Sequence, residues 1–138
     1  MANEALVHAV KTIMKLGKEG RVDEAYQGYR SLFESPDFET FRPEDQRQAL
    51  RLMIHAKGAP EKLTEPMAEA HRAALRPLTN LVNSYGEPSD HELLGVCYSR
   101  LGDTQSADTV FRAGLNLERE RNPSSDLCGL FMKRISLL

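Results

Sequence analysis

The sequence predicts an all-α fold built from paired helices, and three observations carry that reading. Residues 93–111 read as two antiparallel helices joined by a tight Gly102-Asp103 turn, with large residues recurring at helical spacing and small ones where two helix backbones would come close. The chain has no Trp and only 7% aromatic residues, so its core leans on Leu, Ala, Met and Val, which suits helices better than sheets. No segment reads as a convincing strand. At 138 residues the chain is expected to form one domain.

The first helix is expected from about Glu4 to Gly17, with Asn3 as its N-cap. Leu6, Ala9, Ile13 and Leu16 form one apolar stripe, and Val7, Val10 and Met14 a second beside it. An arc that wide asks for cover on two sides. Gly17 and Gly20 bracket the turn to a second helix, about Val22 to Ser35, whose buried side is Val22, Ala25, Tyr29, Leu32 and Phe33. Pro36 ends it, because proline disfavours a helical residue before it. Residues 38–42 are a connector whose two phenylalanines tuck against the stack.

A third helix starts at Pro43, where a missing N–H costs nothing, and Glu44 and Asp45 suit its positive end. Ala49, Leu50, Met53 and Ile54 supply its apolar contacts, and residues 57–60 close it. Thr64 and Pro66 open a fourth helix with Met67, Ala70, Ala74, Leu78, Leu81, Val82 and Tyr85 on one face. Pro77 lies inside that pattern and is expected to kink or split the helix. Ser89 and Glu92 read as a capping box opening a fifth helix that runs to about Leu101. A sixth follows the Gly102-Asp103-Thr104 turn to about Arg121. A last helix, about Ser125 to Leu137, carries Leu127, Leu130, Phe131, Ile135 and Leu138.

The two ends of the chain share a pattern. Leu94, Gly95, Tyr98, Gly102, Ala107 and Phe111 recur 82 residues earlier as Thr12, Ile13, Leu16, Gly20, Ala25 and Tyr29. The turn and second helix match well; the first helix matches only in outline. This pattern resembles the tetratricopeptide repeat, a 34-residue helix–turn–helix unit. The late copy departs from it in His91, where Trp is frequent, in Gly114, where Ala is common, and in Arg119, where a proline usually stands. The offset is two units plus fourteen residues, so the middle copy carries an insertion, consistent with the overlong helix around Pro77. The resemblance implies a TPR-like α-solenoid of about three helical hairpins plus a C-terminal capping helix. Its parts would be a repeat at about 6–39, a degenerate repeat with insertion at about 44–87, a repeat at about 88–121 and a cap at about 125–138.

The resemblance also implies that the first helix of each pair lines a concave groove. Those positions are Val7, Val10, Met14 and Lys18 in the first copy, Gln48, Leu52 and His55 in the middle one, and Glu92, Val96, Ser99 and Arg100 in the last. An apolar patch with polar groups further along suits a peptide or helix with one apolar anchor. Packing of Val7 and Met14 under another segment or another subunit is the competing structural explanation. Some family members hold acidic chaperone tails in a clamp of Lys, Asn and Arg; the matching Val10, Met14, Ser89 and Leu93 lack that set. The pentatricopeptide family, which reads RNA, shares the flavour of residues 20–25, but few copies and an acidic balance argue against it.

The formal charge of −2, without a basic run, argues against nucleic acid as the partner. No apolar run approaches the ~18 residues a bilayer span needs. Residues 1–5 lack the features of a signal peptide, so a cytoplasmic location is expected. Cys97 and Cys128 fall in apolar helical patterns and read as buried free thiols. His8, His55, His71 and His91 show no zinc spacing, and no hydrolase elbow or phosphate loop is present. Catalytic residues, metals and cofactors are therefore not expected. Lys11, Lys15, Lys18 and Arg21 fall partly on one side of the first helix, either as a solvated face or as a contact for phosphate or acidic peptide. The expected function is non-enzymatic protein binding, as an adaptor or client-specific chaperone. The alternative is a self-assembling structural subunit or homodimer whose groove and last helix are used in oligomerisation; on the far side of that helix Met132, Leu137 and Leu138 remain.

Overall fold

A computed structural model describes residues 4–58, 60 and 62–138; the expected Asn3 cap and Ala59 lie outside them. The described residues form seven α-helices and one short 3-10 turn, with no strand. The fold class is all-α. The chain divides into two compact units, Met1–Pro77 and Leu78–Leu138.

In the first unit α1 (Glu4–Lys18) and α2 (Val22–Glu34) form a hairpin. Gly20 has φ 80°, a conformation open to glycine but strained for other residues. It lets the Gly20 N–H donate to Gly17 O (3.1 Å) and the Arg21 N–H to Leu16 O (2.9 Å), a Schellman closure of α1. Ile13 packs into a gap at Gly28, where an added methyl would stand 2.8 Å from Ile13 Cγ1. From α2 a file of rings runs on through the 3-10 turn Phe38–Thr40. Tyr26, Tyr29, Phe33, Phe38 and Phe41 follow one another at centroid separations of 5.2–6.1 Å. Phe38 is fully buried, as the connector reading requires.

α3 (Pro43–Ile54) buries Ala49, Leu50, Met53 and Ile54 and is tied to the connector by Gln46, which donates to Phe41 O at 2.8 Å. α4 (Glu65–Tyr85) is capped where Thr64 Oγ1 accepts from the Met67 N–H (3.4 Å). Its buried His71 stacks on Tyr26 and donates from Nδ1 to Met67 O at 2.7 Å. Pro77 is fully buried, and α4 continues through it as a single helix; the two units divide there. Tyr85, expected on the apolar face, is exposed.

In the second unit α5 (Pro88–Arg100) and α6 (Thr104–Arg121) form a hairpin closed like the first. Gly102 has φ 82°, with Gly102 N–H on Ser99 O and Asp103 N–H on Tyr98 O, both 3.0 Å. Asp103 caps α6 by accepting from the Ser106 N–H (3.1 Å), and Ser106 holds its carboxyl below the usual range. The expected capping box at the start of α5 is not formed. Pro88 occupies the first turn with its φ already helical, so the N-cap falls at Glu87. Ser89 is exposed, and Glu92 pairs instead with Arg134 at 2.8 Å.

α7 (Asp126–Ser136), capped by Ser125, packs on α6. Phe131 meets Phe111 edge-on at 6.3 Å. A methyl on Gly114 would stand 2.6 Å from Phe131 Cζ and 2.7 Å from His91 Cβ, so alanine here would force the Phe131 ring or the α5–α6 contact to shift. Met132, Leu137 and Leu138 are exposed.

Candidate partner-binding groove

The helical periodicity of α1 puts Leu6 and Ile13 in the core. The second stripe stays uncovered: Val7 and Met14 are exposed and Val10 is half-buried. α3 runs alongside, and between the two helices lies a groove of about 840 Å³. An adjoining recess of about 230 Å³ shares Gln48 and Leu52 with it and is lined by Val7 and Val10. Both lie within the first unit.

Buried Ile13, Ala25, Tyr26 and Tyr29 form the floor. The Tyr29 hydroxyl points at Met14 Sδ, 3.9 Å away. Burial, with Tyr26 close by, pushes the Tyr29 phenol up to about 12, so the floor stays uncharged at neutral pH. Val7, Met14, Val22 and Leu52 line the two recesses at 37%, 42%, 41% and 37% exposure. They are four of the eight large apolar side chains left exposed among the described residues. Exposed apolar groups gathered in a concavity mark a contact site more strongly than the same groups scattered singly.

Seven of the expected contact residues meet here: Val7, Val10, Met14, Lys18, Gln48, Leu52 and His55. The four from α5 lie in the second unit and do not form an open surface. Glu92 and Val96 are buried, which removes them from direct contact. Val96 and exposed Ser99 border a small recess of about 130 Å³ beside Arg134 and Leu137, and Arg100 is half-buried. Arg51 and Lys57, which the sequence reading did not assign to the groove, lie on its lining. The signal for Arg51 was its spacing, three after Gln48 and four before His55, which sets it on the same face of α3.

Neither cysteine is in a disulfide and both are buried, and burial pushes the Cys97 thiol up to about 12. His71 and His91 are core residues, whereas His8 and His55 are exposed. No described helix is long and apolar enough to cross a membrane. Set against protein-family models, curated proteins and solved structures, the chain matches none.

Proposed function

We propose that this chain is a TPR-like helical-hairpin module that binds a segment of another protein in the α1–α3 groove, as an adaptor or client-specific chaperone rather than an enzyme. One observation carries the reading: an uncovered apolar stripe on α1 faces α3 across a concavity with a buried, uncharged floor. The hairpin-repeat part is supported by the matching Schellman turns at Gly20 and Gly102, 82 residues apart.

The test is affinity capture from the native cell with the wild-type chain and with Val10→Asp and Met14→Asp. Both substitutions put a charge into the groove; Met14 lies against the hydroxyl of buried Tyr29, so unchanged circular dichroism melting of both variants is measured beside the capture. A stoichiometric partner held by wild type and lost by both variants supports the assignment, and unchanged recovery removes it. Self-assembly is the second reading, favoured by Leu137 at 74% exposure beside exposed Met132 on α7. Light scattering at high concentration separates the two, since a clean monomer leaves no role for that surface in a dimer.

A further inference from the structure

We infer that the occupant of the α1–α3 groove is an acidic amphipathic segment of a partner protein, with aliphatic side chains on one side and carboxylates along its edges. The inference rests on the groove reading above and adds the chemistry of the ligand.

Charge complementarity carries it. The groove and its adjoining recess are lined by four cations, Lys11, Lys18, Arg51 and Lys57, against two carboxylates, Glu44 and Asp45. Asp45 is already engaged by Arg42 at 3.1 Å. The whole chain carries −2, so the lining has the opposite sign to the molecule. Elsewhere in this unit the arginines are spent on carboxylates: Arg21 on Glu24, Arg30 on Glu34 and Glu69, Arg72 on Glu65, Arg76 on Glu39. Among the described residues none of the four groove cations stands in an ion pair. Positive groups left unneutralised around an apolar floor select negative groups flanking apolar ones, and they speed the encounter.

Other occupants fit less well. Tyr26 and Tyr29 are buried in the floor and offer no open ring face on which bases could stack. The groove floor of Ala25, Tyr26 and Tyr29 is buried, out of reach of a flat bilayer. The exposed apolar groups of a second copy's α7 come with Lys133, the same sign as the lining, and bring no unpaired carboxylate cluster to it; Arg134 is matched by Glu92.

The experiment is selection of a displayed library of random 16-residue peptides on the full chain, followed by fluorescence anisotropy of the enriched peptides. The expected result is enrichment of peptides that are net acidic and carry spaced Leu, Ile, Val or Met. Their affinity should fall about ten-fold in Lys18→Glu/Arg51→Glu and also weaken at high salt. Lys18 and Arg51 are exposed, and unchanged circular dichroism melting of the double variant confirms that its fold is intact. Enriched peptides that are neutral or basic, or no enrichment, overturn the inference. So does acidic-peptide binding indifferent to the charge reversal. The two readings fail separately. Peptides lost on Met14→Asp but indifferent to Lys18→Glu/Arg51→Glu keep the groove and sink the charge argument; peptides indifferent to Met14→Asp sink the groove itself.

Discussion

Gly95→Ala tests the helix contact on which the second hairpin depends. A methyl on Gly95 would stand 2.5 Å from Phe111 Cδ1 and 2.8 Å from Cζ, where carbon atoms settle at roughly 3.5–4.0 Å. The ring would have to retreat by about 1 Å. Its room is small, because Phe111 is 1% exposed and braced edge-on by Phe131, with only the recess of about 130 Å³ beside Val96 next to it. Overpacking of a full core costs about 1–3 kcal/mol, and so rigid a clash belongs at the upper end. Replacing a mid-helix glycine returns about 1 kcal/mol of helix propensity, for a net loss of about 2 kcal/mol. Gly129→Ala in α7 is the matched control: nothing lies within 4 Å of its added methyl, so it should gain about 1 kcal/mol. Urea unfolding followed by circular dichroism should therefore separate two chemically identical substitutions by about 3 kcal/mol. Phe111→Leu combined with Gly95→Ala should recover about 1–2 kcal/mol relative to additivity, because it vacates the space the methyl needs. Equal stability of Gly95→Ala and Gly129→Ala would refute the close-packing argument.

Three further outcomes follow from the same geometry. Arg134→Met removes the Arg134 ion pair of the buried Glu92 carboxylate and should cost about 2 kcal/mol in urea unfolding, whereas a loss below about 0.5 kcal/mol would show that the pair is immaterial. Cys97 and Cys128 should resist a thiol reagent at mildly alkaline pH in the native chain and both react in urea; rapid native labelling of Cys97 would contradict its burial and raised pKa. Tyr29 is held neutral by the fold, so its contribution to stability is complete below the unfolded phenol value of about 10 and is lost as pH climbs towards about 12. Tyr29→Phe should flatten that alkaline limb, and an unchanged limb would place its cause elsewhere.

The helices were legible because their punctuation is local. Gly20, Gly102, Pro43 and the run around Pro123 fix boundaries through backbone geometry alone, and the helix bounds follow them. The start of α5 was misread because two start signals overlap, and the fixed φ of Pro88 prevails over the hydroxyl of Ser89. The weak match between the first helices has a physical cause. In the last hairpin the gap is on α5 at Gly95 and the bulk on α6 at Phe111. In the first the bulk is on α1 at Ile13 and the gap on α2 at Gly28. The same interlock is made with large and small exchanged across the pair, and comparing one helix at a time hides it. The groove was legible on α1 and α3 because heptad-like spacing sets its residues on one face. On α5 the same spacing failed, because every residue from Asp90 to Cys97 is buried and position on a face no longer reports exposure.

Why the groove stays open can be argued from what faces the α1 stripe. Closing α3 onto Val7, Val10 and Met14 would bury apolar surface at roughly 25 cal/mol per Å². The side chains that α3 and its C-cap bring to the two recesses are Glu44, Asp45, Gln48, Ala49, Arg51 and His55, with Leu52 the one large apolar group among them. Pressing Arg51 and Glu44 against methyl groups strips their water without supplying partners, at a cost of several kcal/mol for a charge left unpaired. Closure is therefore opposed by the same residues that give the groove its charge. A ligand that brings its own carboxylates removes that opposition, because it covers the apolar stripe while leaving the cations paired. Arg51→Leu together with Gln48→Leu should show this directly: the free chain should become more stable as the groove closes on itself, and acidic peptides should lose their site. A double variant that is no more stable than wild type and still binds those peptides would mean that the polar face of α3 has no part in keeping the groove open.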